Sequence, residues 1–143
     1  MTSVKQVFIL TAWWLAVGVL IFGCDNSTQP PPPPPYRTLE IGLYNSPPEV
    51  EPGRNVYLTA RVNDQNGVAQ QGIRIFFEVT PQDIGQITPW AWTEPDSATG
   101  LRERVVFTGS RTGVALITGS CSIGENDTAI DTVHVQVREP ING

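Results

Sequence analysis

The stretch VYLTARVNDQNGVAQQGIRIFFEV (residues 56–79) contains two runs in which apolar and polar side chains alternate. A period of two places every second side chain on one face of a β-strand, so each run predicts a strand with one buried and one solvent-facing side. Between the runs lies NDQNG (residues 63–67), where Gly67 or Asn66 can take the positive φ of a turn. The stretch therefore predicts two neighbouring strands joined by a turn and a short connection.

The same alternation continues through the rest of this region, and no segment shows sustained helical spacing. Further strands are expected around residues 39–43, 86–88, 101–107, 115–121 and 133–137. About seven short strands with one apolar face each suit two stacked antiparallel sheets. The sequence therefore predicts an all-β, immunoglobulin-like antiparallel β-sandwich of about seven strands, without the cysteine pair of antibody domains.

Residues 56–79 also resemble the bacterial Ig-like domain of the invasin/intimin type. The resemblance lies in a D-x-x-G turn at Asp64 and Gly67, a step at Gly72, and a strand end at Phe77 and Val79. Further motifs follow in the family's order: GQITP at 85–89, Gly100, and TGVALITGS at 112–120. The resemblance covers about residues 39–138 and implies a spacer or adhesive module, although residues 93–100 form a longer connection than the family usually has.

The N-terminus has the features of an export signal. Lys5 precedes an apolar run at residues 7–22, which is shorter than the roughly 20 residues of a membrane-spanning helix. The run ends in IFGC (residues 21–24), which resembles the lipobox of bacterial lipoproteins and implies cleavage before Cys24 and a lipid on its thiol. An uncleaved N-terminal anchor, or an ordinary secretion signal with a cysteine nearby by chance, are the alternatives.

After Cys24 comes a segment with the composition of a tether. Its six consecutive prolines, residues 30–35, predict a stiff polyproline II spacer of roughly 20 Å. We therefore expect a lipoprotein signal peptide at 1–23, a lipidated cysteine and proline-rich linker at 24–38, the Ig-like sandwich at 39–138 and a short tail at 139–143.

Charge and cysteine content narrow the classes of partner. The chain has nine basic and fourteen acidic residues, a net charge of −5. This acidity argues against nucleic acid as a partner, because phosphate binding needs clustered basic residues. With Cys24 assigned to lipid, Cys121 is left without a disulfide partner, and we expect it to be a buried apolar residue rather than a reactive thiol.

No catalytic constellation is recognisable, and we expect neither an enzyme nor a cofactor. His134, the only histidine, falls on the predicted solvent side of its strand, and no glycine-rich phosphate loop or zinc-ligand spacing occurs. The acidic pairs Glu94 with Asp96 and Glu125 with Asp127 lack the spacing of an EF-hand. We therefore predict no metal site.

The segment PWAWTEPD (residues 89–96) holds the best candidates for contact with a partner. Trp90 and Trp92 project to the same side if the chain is extended, and tryptophan is enriched at binding hot spots. Phe76 faces outward by the alternation, together with Val114 and Leu116, and Val106 is a candidate to join them. Alternatively, the tryptophans cap one end of the core, and loops or the proline tether cover the outer face.

These features predict a non-enzymatic, membrane-anchored module that binds a protein partner in an envelope or surface assembly. Edge-strand pairing is one mode by which it would dock. A carbohydrate-binding or adhesive module that stacks its tryptophans on a glycan is the alternative. The expected location is the bacterial cell envelope, at the outer membrane or cell surface, although Asp25 would retain an enterobacterial lipoprotein at the inner membrane.

Overall fold

The computed structural model describes residues 37–140, and every regular element in this range is a β-strand. The strands are β1 (Thr38–Leu43), β2 (Glu49–Val50), β3 (Asn55–Asn63), β4 (Arg74–Thr80), β5 (Gly85–Ile87), β6 (Trp90–Trp92), β7 (Val106–Gly109), β8 (Gly113–Ser122) and β9 (Thr128–Val137). The predicted leader, the lipid site at Cys24 and the proline tract lie outside the described residues, as do residues 141–143. Within residues 37–140 no helix could cross a membrane.

The strands form two sheets. One has four strands in the order β1-β3-β7-β5, and the other has five in the order β2-β9-β8-β4-β6. Neighbouring strands are antiparallel except for the short parallel pair β2 and β9. The predicted immunoglobulin-like sandwich is thus confirmed. The sequence pattern missed β2 and β6, which have two and three residues and are too short to show a period. It also placed a strand at 101–107, whereas β7 spans Val106–Gly109.

The core lies between the two sheets and is built by the alternating apolar positions. Leu58 and Phe107 from the four-stranded sheet pack in one cluster with Ile75, Ile117 and Val135 from the five-stranded sheet, all without solvent exposure. A fully buried side chain of this size contributes about 1.5–3 kcal/mol through removal of apolar surface from water. The period-two pattern therefore identified the inward-facing residues correctly.

The turn after β3 is held by one carboxylate. Asp64 Oδ1 accepts hydrogen bonds from the backbone amides of Asn66, at 2.8 Å, and Val68, at 3.0 Å. Gly67 adopts a φ of 76°, so it is Gly67 rather than Asn66 that takes the left-handed conformation. An aspartate whose side chain caps the following amides is a common way to fix a turn before the chain reverses.

The free edge of β1 is blocked at one position from within the chain. The backbone amide of Ile41 donates a hydrogen bond of 2.8 Å to Oδ2 of Asp131, which belongs to β9 of the other sheet. The remaining edge strands, β2, β5 and β6, have only two or three residues each. Short or blocked edges offer little backbone for a second chain to pair with, so they disfavour edge-strand pairing as the mode of docking.

The connection after β6 packs against β3. Its backbone closes on itself through a hydrogen bond of 2.8 Å from the Glu94 amide to the Gly100 carbonyl. The Ala60 amide donates to the Thr99 carbonyl at 3.0 Å, which fixes the connection to the sheet. Gly100 takes a φ of 75°, and a Cβ atom there would lie 2.3 Å from the Ala60 carbonyl oxygen. Only glycine fits this position.

We predict that Gly100→Ala destabilises the domain by about 2 kcal/mol more than Gly53→Ala, because overpacking adds to backbone strain. Gly53 has a similar φ of 81°, but a Cβ there meets no atom within 4 Å. Both variants therefore share the cost of a left-handed alanine, roughly 1–2 kcal/mol, and differ in the contact with Ala60. Urea unfolding of both variants measures the difference, and equal losses would contradict the close approach of the connection to β3.

Candidate interaction surface

The outward faces of β4 and β6 bring three aromatic side chains and one arginine together. Trp92 lies directly opposite Arg74 across the two strands, and Trp90 lies opposite Phe76. These four residues are called the aromatic cluster below. Because side chains two residues apart on a strand share a face, the aromatic cluster lies on the outward face of the five-stranded sheet, at its β6 edge.

The register places these pairs at the positions where side chains come closest. The ladder hydrogen bonds fall on the intervening residues: the Phe77 amide donates to Pro89 at 2.9 Å, and the Thr93 amide donates to Ile73 at 2.8 Å. The pairs of the aromatic cluster are therefore non-hydrogen-bonded pairs, in which opposite Cα atoms approach to about 4.5 Å. Cross-strand contacts of this kind stabilise antiparallel sheets.

Arg74 is the centre of the aromatic cluster. Its guanidinium carbon lies 4.6 Å from the ring centroid of Trp92, 5.4 Å from that of Trp90 and 5.9 Å from that of Phe76. All three distances are within the range of cation–π attraction, which contributes about 0.5–1 kcal/mol at an exposed site. The rings therefore hold the charged group in place on the surface.

The aromatic cluster is open to solvent rather than folded into the core. Phe76 is 47% exposed and Trp90 is 42% exposed, whereas Trp92 is half-buried on the same face. The residue between the tryptophans, Ala91, is the one that enters the core. The alternative that the tryptophans cap the end of the core is therefore wrong for Trp90. The role of Trp90, Trp92 and Phe76 as partner contacts stays a prediction.

A row of outward-facing side chains runs from the aromatic cluster across the sheet to the exposed Ile130. Phe76 lies opposite Ser120 on β8, and Ser120 lies opposite Ile130 on β9, which is 63% exposed. Val114 and Leu116 also lie on this face but toward its other end, where Leu116 is opposite Thr80. The expectation for Val106 was wrong, because β7 belongs to the four-stranded sheet.

The end of β6 is fixed by a set of hydrogen bonds around Thr93. This buried residue accepts a bond of 2.9 Å from the Ile73 amide through its side-chain oxygen, and its carbonyl accepts another, of 3.0 Å, from Gly72. On the far side of the strand, Glu103 Oε2 accepts a bond of 2.9 Å from the Trp92 amide. These contacts set the position of Trp92 independently of its ring.

A second concave surface lies on the four-stranded sheet. It is a cleft of about 440 Å³ with Tyr44, Tyr57 and Arg104 among its lining residues. Its two hydroxyl-bearing residues from the 93–100 connection, Ser97 and Thr99, direct their oxygens to the Leu101 carbonyl rather than into the cleft. Tyr44, Tyr57, Arg102 and Arg104 leave polar groups in the lining of this cleft. The aromatic cluster differs from it because its large apolar side chains, Phe76 and Trp90, are themselves exposed.

The other residues considered for catalysis or metal binding do not form a site with one another in residues 37–140. His134 is exposed on the outer face of β9, as expected, and Cys121 is buried at the end of β8. Burial raises the pKa of the Cys121 thiol, and the charge of Arg37 opposes this shift. Within residues 37–140, no three histidine, cysteine, aspartate or glutamate side chains gather into a group that could hold a metal.

Comparison with known proteins identifies the fold but no family. No protein-family model and no curated protein matches the sequence. Among solved structures, the D00-D0 domain of intimin superimposes with a TM-score of 0.52 at 16% identity, over 69% of this chain and 46% of that one. The PKD domain of the human receptor SorCS2 gives a TM-score of 0.50 at 18% identity, over 80% of this chain and 83% of that one.

A third structure, domains 4 and 5 of the S-layer protein SbsC, gives a TM-score of 0.48 at 19% identity over 71% of this chain. The chain spans about half the length of the intimin and SbsC structures that it matches, 46% and 53% respectively. At these identities the likeness to intimin and to the PKD domain establishes an Ig-like β-sandwich. One fold of this kind carries many unrelated functions.

We predict that Thr93→Val lowers the free energy of unfolding by about 1–3 kcal/mol, because the Ile73 amide loses its acceptor in a site that excludes water. Thr132→Val is the matched control, since Thr132 is exposed on β9, and exposed substitutions stay within about 0.5 kcal/mol. Urea unfolding of the two variants measures both values, and equal stabilities would contradict the anchoring of β6 through Thr93.

We predict that Cys121 resists alkylation in the folded protein at pH 8. Its side chain is 1% exposed, and its raised pKa keeps it a thiol, whereas the thiolate is the reactive form. Mass spectrometry of the peptide that contains residue 121, after iodoacetamide treatment with and without guanidinium chloride, measures the modified fraction. Rapid modification of Cys121 without denaturant would show that the thiol is accessible.

Proposed function

We propose that this protein is a non-enzymatic, lipid-anchored module of the bacterial cell envelope that binds a protein partner through its aromatic cluster. In this proposal Cys24 carries the lipid, residues 25–38 hold the domain away from the bilayer, and the Ig-like sandwich presents Trp90, Trp92 and Phe76. The observation that carries the proposal is the group of exposed aromatic side chains on an otherwise well-formed sheet.

The anchor is supported by the sequence. An apolar run that ends in IFGC is followed at once by a polar, proline-rich segment, which is the arrangement expected of a lipid attachment site and a spacer. A single acyl chain binds a membrane only marginally, and two or more chains hold a protein firmly. The diacylglyceryl group implied at Cys24 would therefore suffice without a membrane-spanning helix.

The contact surface is supported by the exposure and the arrangement of its rings. Large aromatic side chains that remain exposed in a group mark interaction sites more often than scattered apolar residues do. The sheet edges are short or blocked, so a partner can make a larger contact with the outer face than with a strand edge. The cost of ordering the cluster on binding is low, because Arg74 and the cross-strand pairs already hold the rings.

A protein partner is favoured over a glycan by the position of Arg74. Its guanidinium lies over the rings of both tryptophans, 4.6 Å from the centroid of Trp92 and 5.4 Å from that of Trp90. A sugar ring that stacks on either tryptophan needs an open ring face, and the guanidinium competes for that space. An amino-acid side chain can instead pack against the edges of the cluster.

The anchor is tested by mass spectrometry of the full chain extracted from bacterial membranes. We expect a species that begins at Cys24 and carries the mass of a diacylglyceryl group, and we expect Cys24→Ser to keep its leader. An intact Met1, or an unmodified thiol at position 24 in membrane-bound protein, would contradict lipid anchoring.

The contact surface is tested by photo-crosslinking in intact cells of the source bacterium. A photoreactive p-benzoylphenylalanine at position 130 lies on the same face as the aromatic cluster, and one at position 61 lies on the opposite sheet. We expect a discrete protein adduct from position 130 that is lost in Trp90→Ala, and none from position 61. Adducts of equal yield from both positions, or no loss in Trp90→Ala, would contradict the proposed surface.

A further inference from the structure

We infer that Arg74 determines the specificity of the aromatic cluster, and that the partner segment it accepts carries a carboxylate next to an apolar side chain. This inference rests on the proposed function, because it names the chemistry of the partner at the same surface. It follows from how the guanidinium is held, from its lack of an acidic partner, and from the apolar surface beside it.

The rings hold Arg74 without using its hydrogen-bond donors. A cation–π contact is an attraction between the positive charge and the ring, and it does not occupy the five N–H donors of a guanidinium. These donors are arranged in a fork that matches the two oxygens of a carboxylate. Stacking and carboxylate binding are therefore compatible at one arginine, and the rings reduce the side-chain motion that binding would otherwise have to freeze.

Three of the other arginines in residues 37–140 form ion pairs, whereas Arg37, Arg54, Arg61 and Arg104 form none, like Arg74. Arg102 pairs with Glu94 at 3.2 Å, Arg111 with Asp83 at 2.7 Å, and Arg138 with Glu49 at 3.1 Å. Arg74 differs from the four unpaired arginines in its contacts with three aromatic rings, since Arg104 contacts one, that of Tyr57. Among residues 37–140, no carboxylate lies within ion-pair distance of Arg74, even though the whole chain has a net charge of −5. The next carboxylate on the same face of β4 is Glu78, four residues and about 13 Å along the strand.

A row of four residues beside Arg74, of which all but Ser120 are large and apolar, has the length of a short peptide segment. Trp90, Phe76, Ser120 and Ile130 lie opposite one another in turn across β6, β4, β8 and β9. Three strand spacings of about 4.8 Å give this row a length of about 14 Å, which equals roughly four residues of extended chain. Arg74 lies beside the β6 end of this row. A partner segment that packs an apolar side chain on the row would therefore bring a carboxylate on its neighbouring residue to Arg74.

We test the inference by titrating the full chain in detergent with two peptides, acetyl-Leu-Glu-Leu-amide and acetyl-Leu-Gln-Leu-amide. The indole N–H signals of Trp90 and Trp92, assigned with Trp90→Phe and Trp92→Phe, report binding by NMR. We expect the glutamate peptide to bind about tenfold tighter than the glutamine peptide, the effect of one charge-assisted hydrogen-bonded pair. Arg74→Gln should abolish the difference, and Arg61→Gln on the other sheet should preserve it.

Each other result has a defined meaning. Equal affinities for the two peptides, lost in Trp90→Phe, would overturn the role of Arg74 and leave the aromatic surface as a protein contact. The absence of binding by either peptide would overturn the inference, while crosslinking from position 130 would still decide the proposed function. Signals that respond to glucuronate and to neither peptide would overturn it in favour of an acidic glycan.

Discussion

The two adjacent phenylalanines of β4 must point to opposite sides of the sheet, and the fold and its exposed face both depend on this constraint. Phe77 enters the core, where it is 3% exposed, while Phe76 remains on the surface. A shift of one residue in the register of β4 would exchange the two side chains and expose Ile75 and Val79 as well. The burial of Ile75, Phe77 and Val79 therefore fixes Phe76 on the solvent-exposed face of β4.

The aromatic cluster owes its geometry to backbone pairing rather than to the attraction between its side chains. Cation–π contacts at an exposed site contribute about 0.5–1 kcal/mol, too little to order a three-residue strand. The position of β6 is fixed instead by Ala91, which is buried in the core, and by the hydrogen bonds of Thr93 and Glu103. The surface side chains can therefore change without loss of the scaffold that arranges them.

Period-two alternation predicted the all-β fold and most of the core, because long strands with one buried face repeat the pattern over many residues. The same pattern failed at β6, where three residues between Pro89 and Thr93 show no period. It placed Phe76 outward but left open whether Trp90 is exposed or packed, and it could not assign residues to sheets, so Val106 was grouped with the wrong face. Arg74 lies two residues before Phe76 and therefore faces the same side of β4. Its contact with the tryptophans nevertheless depends on the pairing of β4 with β6, which the sequence does not reveal.

The inward-facing carboxylate of Asp131 has a consequence for pairing between copies of this domain. An open strand edge lets molecules that meet often pair edge to edge into continuous sheets. Asp131 already occupies the Ile41 amide that such a neighbour would need. A second chain that paired with β1 at this position would therefore have to displace Asp131.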